Sequence, residues 1–402
     1  VAGVTAREIG LCVALAAAVA GVVWWRAPAR VHSDFCSYYA AGRLTLEGRG
    51  VEAYDPAALE AAHRAIHDVG RRAGPYLYSP LLLVPSAAFA LLPLPAAEAA
   101  NRALGAVALG GGLLAVLLAL GGWPERCATA LAFGLSHPVA AQLAYENWTF
   151  LLFALLAVAA LAARRERPVW AGLAAAAAVH LKAFTVFTLA PLIGGRRRRV
   201  VLWATLLAAL LLAASIPVVG GRSWITYGEM LASTGGAGVT PYYNKCSLAA
   251  NLARLSTGPR DWVAARGPVG TWPVRSAFWI GLPLLAWGSW RLRRSPEAGL
   301  AFGIGWTLLF VPQIWEHTEI LLFAAVPALA SRWRWPVLAL LAATCFYGGL
   351  QQGLLRDVLA ATRPPLSLAA LLLLYPSLNL LVLAAALAGD AGGNAGAARA
   401  RA

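Results

Sequence analysis

Arg196-Arg-Arg-Arg-Val200-Val-Leu-Trp-Ala-Thr-Leu-Leu-Ala-Ala-Leu-Leu-Leu-Ala-Ala-Ser-Ile-Pro-Val-Val219 decides the fold class. The stretch from Val200 to Val219 carries no charge and follows four consecutive arginines. A helix rises about 1.5 Å per residue, so a run of this length matches the roughly 30 Å hydrocarbon core of a bilayer. Arginines collected at one end mark the cytoplasmic boundary of such a helix. The pattern recurs along the chain. Further apolar runs fall near residues 9–25, 77–94, 99–121, 128–145, 147–163, 169–193, 276–290, 297–313, 318–330, 336–350 and 367–388.

The composition agrees. Of 402 residues, 60% are hydrophobic and only 13% charged, against about 45–50% and about 25% in soluble domains. A soluble enzyme, a disordered protein and a DNA-binding domain are excluded. The expected fold is an all-α polytopic membrane protein. The net charge of +15 in a soluble chain would suggest nucleic acid; here it reflects short loops that collect arginine, and no nucleic-acid partner is expected. Lys182 and Lys245 are the only lysines among the 33 basic residues. The five cysteines, Cys12, Cys36, Cys127, Cys246 and Cys345, show no metal spacing, and a Cys36–Cys246 disulfide between outer loops is one option. No cleavage motif follows the first apolar run, which reads as a retained helix.

Residues 1–388 read as one membrane domain and 389–402 as a disordered cytoplasmic tail. Two polar loops stand out. The first, 26–76, holds two helix-like stretches, Phe35–Leu46 and Pro56–Val69, joined by a Gly48–Gly50 break; the second covers 221–274. If the clusters Arg164–Arg167, Arg196–Arg199, Arg291–Arg294 and Arg332–Arg334 are cytoplasmic, both loops, Trp315–Thr318 and 351–366 face outside. Counting crossings then exposes two irregular regions. The run 169–193 lies between two Arg clusters, so it should go in and return as two short helices bending at Val179–Ala183. The region 77–163 holds one crossing too many, and the expected surplus is 128–146, broken at His137–Pro138 and ending in Gln142, Glu146 and Asn147. Broken helices persist in a membrane only where protein or a cavity surrounds them.

Polar residues at these breaks are the candidate site. Asp34, in His32-Ser-Asp-Phe-Cys-Ser-Tyr38-Tyr39, is an acid in aromatic surroundings that suit proton transfer; the competing reading is a helix N-cap by Ser33 or Asp34. Glu316 and His317 open a span on the same face, where acids also suit a helix start. Lys182, beside His180, is an intramembrane cation fit for a phosphate or, alternatively, for snorkelling to a headgroup. Tyr242-Tyr-Asn244-Lys245-Cys-Ser247 suits sugar or headgroup contact, and Tyr76-Leu-Tyr78-Ser-Pro80 an interfacial anchor. The chain has no glycine-rich phosphate loop, metal cluster or paired-aspartate motif, so nucleotide-sugar and ATP enzymes of the usual kinds are disfavoured and no cofactor or metal is expected.

Asp34-Phe-x-x-Tyr38-Tyr39-Ala-Ala-Gly42, followed by Gly48 and Tyr54-Asp55-Pro56, resembles the first external loop of glycosyltransferase family 87. These are GT-C polyprenyl-phosphate-mannose-dependent mannosyltransferases, typified by mycobacterial phosphatidylinositol mannoside mannosyltransferases. Tyr76-Leu-Tyr78-Ser-Pro80, Ala171-Gly172 with Leu181-Lys182, and Asn244-x-x-Ser247 follow in the family's order. Tyr145-Glu146-Asn147 stands where the family has Gly-Gln-x-Asn, and Lys182-Ala183 where it has Lys-Pro. The resemblance implies a GT-C-type bundle of about 10–12 transmembrane or re-entrant helices in a bacterial plasma membrane, with its active site outside the cytoplasm. It implies a polyprenyl-phosphate sugar donor, most readily mannose, a lipid or glycan acceptor, and inversion. Asp34 would be the general base, with Lys182 and His317 stabilising phosphate charge. Tyr38, Tyr39, Tyr78, Glu146, Asn147, His180, Asn244, Lys245 and Glu316 are expected to line the substrate site. A transporter or flippase of lipid-linked sugars is the runner-up, weakened by the absence of repeated halves.

Overall fold

The computed structural model describes residues 5–26, 34–66, 76–192, 198–236, 239–241, 245–257, 268–330 and 379–388. The expected span 336–350, the 351–366 loop, Arg332–Arg334, Asn244, Cys345 and the tail lie outside them. Helix dominates, and the only isolated β-bridges among the described residues are Val239–Val269 and Lys245–Trp315. Among the described residues, three helices are long and apolar enough to cross a bilayer: α1 (Ala6–Arg26), α5 (Leu94–Ala119) and α11 (Arg198–Val219). The chain is a polytopic membrane protein.

The first loop folds as its sequence suggests. α2 (Phe35–Leu46) and α3 (Pro56–Ile66) flank a 3₁₀ turn, Gly50–Tyr54, after Gly48 takes a left-handed φ of 76°. Residues 80–82 form another 3₁₀ turn leading into α4 (Leu83–Ala90), which packs on α2. That packing is close: a Cβ on Gly42 would lie 2.1 Å from the carbonyl oxygen of Ser86.

The remaining elements are α6 (Trp123–Leu135), α7 (His137–Tyr145), α8 (Thr149–Arg164), α9 (Pro168–Leu181), α10 (Thr185–Leu189), α12 (Gly221–Gly236), α13 (Leu248–Leu255), α14 (Trp272–Arg291), α15 (Pro296–Phe310), α16 (Leu322–Ala330) and α17 (Asn379–Ala388). Several open on proline, which needs no hydrogen bond in a first turn: Pro56, Pro95, Pro124, Pro138, Pro168, Pro273 and Pro296.

The bundle has two chemically different ends. One gathers basic residues: Arg126 reaches Glu8 at the start of α1 and the carbonyls of Leu117 and Leu120 at the end of α5. Arg164 donates to the Ala119 carbonyl there and lies 3.7 Å from Glu297. A small apolar cavity at that end is lined by Ala171, Leu192, Val200, Glu297 and Ala328 among others. The opposite end gathers the breaks: Asp34, Glu146–Asn147, Lys182 and Trp315–His317.

Following the chain between these ends resolves both irregular regions. α9 rises from the Arg end, Lys182 interrupts it in extended conformation, and α10 with the turn Ala190–Leu192 brings it back beside Val200. Pro191 sits against Gly299 and Thr188 against Gly303, so the return leg runs antiparallel to α15. The in-and-back reading of 169–193 holds. The surplus crossing is a correction. The 128–146 segment is broken at Ser136, as expected, yet α6 starts beside Glu8 and α7 ends beside Asp34, so together they traverse the bundle. The element that does not cross is 77–94. Pro80, Pro85 and Pro93 confine it to a short helix of about 16 Å, which stays at the broken-helix end under α2. Cys36 and Cys246 are buried and not joined by a disulfide.

Candidate active site at the broken-helix end

Asp34 stands at the N-cap position of α2, but its side chain caps nothing in that helix. It accepts instead, at Oδ2, from Nδ2 of Asn147 at 2.7 Å, while its backbone N–H donates to the Tyr145 carbonyl at 2.7 Å. The loop is thereby pinned to the α7–α8 junction. Burial pushes the Asp34 carboxyl above the usual carboxylate range, opposed by the Asn147 hydrogen bond and the Lys182 charge.

The junction itself is an irregular turn. Glu146 takes a left-handed φ of 52°, which ends α7 and lets Asn147 turn back toward the loop. Oδ1 of Asn147 accepts from the Thr149 N–H at 2.9 Å, the Thr149 hydroxyl at 2.6 Å and the Tyr78 hydroxyl at 3.0 Å. Tyr78 shares a 2.8 Å hydrogen bond with Tyr38, and both rings pack on Trp148. Burial and the neighbouring phenol and carboxylate raise Tyr38 far above the ordinary tyrosine range, so it stays neutral. Lys182 completes this group. Its Nζ lies 5.6 Å from the Tyr78 ring centre and 5.9 Å from that of Phe184, within electrostatic reach of Asp34.

A second group adjoins the first. Glu316 and His317 are buried in a 3₁₀ turn, Glu316–Leu321, ahead of α16. Glu316 accepts from the Tyr145 hydroxyl at 3.3 Å and lies 3.5 Å from Nε2 of His137. His317 stacks parallel to Trp315 and meets Tyr145, and Gln142 holds its carbonyl at 2.9 Å. Neither ring nitrogen of His317 has a hydrogen-bond partner among the described residues, although the side chain is only 4% exposed. The Lys182 charge is felt at His317.

Lys245 reaches the same edge from the second loop. It pairs with Trp315 as a β-bridge, its Nζ lies 4.9 Å from the Trp315 ring centre, and it donates to Gln313. Burial, and secondarily Arg254, lower it to about 8. Ser247 caps α13 and donates to the Pro312 carbonyl at 2.8 Å, fixing that loop against the end of α15.

Three expected site residues lie apart from these groups. Tyr39 donates to the Leu92 carbonyl at 2.8 Å and belongs to the packing of α2. His180 bonds the Ala208 carbonyl at 2.9 Å and meets Trp224, turned toward α11. Glu146 pairs with Arg102 of α5, buried beneath Asn147. The sequence reading did not name Asn101 and Arg102, which hold the junction from below. Asn101 donates to the Glu146 carbonyl at 3.3 Å and accepts from the Trp148 indole at 2.8 Å. Their signal was a polar pair inside an apolar run.

Chemically, this end offers a half-buried carboxylate with one oxygen held and the other open, a nearby ammonium, and a buried imidazole with unused nitrogens. Such a set can accept a proton and face a developing anion. No curated protein and no solved structure matches the chain. A family model matches residues 76–312, from Tyr76 through Asn147, Lys182 and Lys245 to the end of α15. That match covers more than half of the sequence and contains both helix breaks, so the chain belongs to glycosyltransferase family 87.

Proposed function

We propose that this glycosyltransferase moves mannose from a polyprenyl-phosphate donor to a hydroxyl of a lipid or glycan acceptor, with inversion, on the outer face of a bacterial plasma membrane. The observation that carries the reading is the placement of Asp34: released from capping α2, held by Asn147 and set within the field of Lys182. Asp34 takes the acceptor's hydroxyl proton. The acceptor oxygen attacks the anomeric carbon as the bond to the phosphate oxygen breaks. Polyprenyl phosphate leaves with that electron pair, and Lys182 and His317 stabilise its charge. Tyr38 and Tyr78, packed on the buried Trp148, form the aromatic wall behind Asp34, and Glu316 and Lys245 border the acceptor side. The outer-face assignment follows from the arginines gathered at the opposite end of the bundle.

The test is product formation by detergent-purified protein given a panel of polyprenyl-phosphate sugars, where transport has no meaning. Turnover with the mannose donor supports the proposal. No product, together with movement of lipid-linked sugar across vesicles, would make the chain a transporter. Asp34→Asn should cut turnover by about 10²–10⁴ while leaving donor binding intact. If Asp34→Asn is active and Glu316→Gln is dead, the base is Glu316.

A further inference from the structure

The orientation of the Asn147 carboxamide is settled by its neighbours. Amide oxygen and nitrogen are told apart by the donors and acceptors around them. Hydroxyls can serve either role, but the Thr149 backbone N–H, 2.9 Å away, can only donate. The atom facing it is therefore the oxygen, and the NH₂ group faces Oδ2 of Asp34 at 2.7 Å. The NH₂ group can only donate, so Oδ2 can only accept. A proton on Asp34 is directed to the other oxygen, Oδ1, because a hydroxyl at Oδ2 would be a poorer acceptor for this bond.

We propose that Asn147 is a positioning residue: its locked carboxamide holds Oδ2 of Asp34 as an acceptor and leaves Oδ1 as the single oxygen that takes the proton from the acceptor hydroxyl. The inference rests on Asp34 being the base and adds which atom acts and what directs it. The two ends of the amide have different duties. The oxygen closes a local turn into α8 through Thr149 and anchors Tyr78, whereas the nitrogen serves the carboxylate. The charged and titratable groups facing Asp34 are Tyr38 from its own helix, Tyr78 from ahead of α4, and Lys182 from the α9–α10 break. Of these the lysine favours the carboxylate, and the carboxylate in turn keeps the two phenols neutral. Asn147 is the only neutral group bonded to the Asp34 side chain among the described residues.

The experiment exploits the division of duties. Asn147→Asp keeps an oxygen for Thr149 and Tyr78 but loses the donor and adds a like charge. Asn147→Ser keeps a short cap but does not reach Asp34. Losing a hydrogen bond to the charged form makes Asp34 easier to protonate. The acidic limb of the kcat/KM–pH profile should therefore move upward by about one to two pH units, with the larger move in Asn147→Asp. At the wild-type midpoint the rate falls, and it recovers toward wild type at higher pH in Asn147→Ser. Tyr78→Phe removes one of the locking bonds and should give a smaller shift in the same direction, which covers the case of a poorly folded Asn147 variant. An unchanged limb, with kcat lowered equally at every pH, would overturn the proposal and leave Asn147 a scaffold residue, even if Asp34→Asn is dead. Retained turnover in Asp34→Asn would overturn the underlying reading as well.

Discussion

Gly42→Ala tests how Asp34 is held in place. Gly42 lies about two turns along α2 from Asp34, facing α4. The new Cβ would lie 2.1 Å from the Ser86 carbonyl oxygen and 2.4 Å from its carbon, against 3.4 Å or more in ordinary contact. Backbone cannot swing aside as a long side chain can, so α2 must lift by more than an ångström. Overpacking of this kind costs about 1–3 kcal/mol. Replacing a helical glycine returns about 0.5–1 kcal/mol, so a net loss of about 1 kcal/mol is expected. The larger effect is on turnover, because a displacement of about 1 Å at a reacting group can cost about 10²-fold. The control is Gly111→Ala on α5, where nothing lies within 4 Å of the new Cβ. It should hold or raise stability and leave turnover unchanged. Both variants are compared by thermal unfolding in detergent and by glycosyl transfer. Wild-type turnover and melting in Gly42→Ala would refute the claim that the α2–α4 contact sets the position of Asp34.

Lys182→Ala should weaken donor binding and turnover together, and Lys182→Arg should restore them only in part, because a forked guanidinium fills different space from an ammonium between Tyr78 and Phe184; isothermal donor titration reads this directly. Arg102→Ala removes the ion-pair partner of the buried Glu146 carboxylate and should destabilise the protein by about 3 kcal/mol, whereas Arg102→Ala with Glu146→Gln should recover much of it, as a double-mutant cycle by denaturation would show. Since burial raises the Asp34 carboxyl, its base form is lost at a higher pH than for an exposed aspartate. The rate–pH profile should therefore fall on the acid side above the usual carboxylate range, and a limb at an ordinary value would contradict the buried setting.

Period and interruption carried the fold. The apolar runs placed the helices, and the two breaks were readable because His137–Pro138 and His180–Lys182 put polar or helix-ending residues where a crossing needs none. The miscounted element shows the limit of hydropathy. Residues 77–94 are as apolar as a span, but four prolines between Pro80 and Pro95 cut the helix short; one face of α4, with Leu83 and Ala90, is buried, while Val84, Leu91 and Leu92 remain exposed. At the site, Asp34, Tyr38, Tyr78, Asn147 and Lys182 were legible as chemistry in unusual places. Their assembly was not, because it joins residues 69 and 113 positions apart through single hydrogen bonds. Tyr39 and His180 carry the same signal as their neighbours Tyr38 and Lys182, yet a step of one residue along α2, or of two across the end of α9, points a side chain to another side. The family match spans residues 76–312, and the fold adds Asp34 and the Glu316–His317 pair to it from outside that range.

The in-and-back path of α9 and α10 has a consequence for biogenesis. The hairpin enters the bundle tip first, and the tip carries an ammonium. A lysine taken into a bilayer costs about 2.5–3.5 kcal/mol on insertion scales. The groups that offset this charge, Asp34 and the rings of Tyr78 and Phe184, sit on separate parts of the chain. Synthesis runs from the N-terminus, so α2, α4 and the Asn147 junction are already made when Lys182 emerges. The hairpin thus arrives at a prepared receptor. Its counter-charge is waiting, and its docking brings cation and carboxylate into one field before Lys245 and the Trp315–His317 segment, made later, close this end.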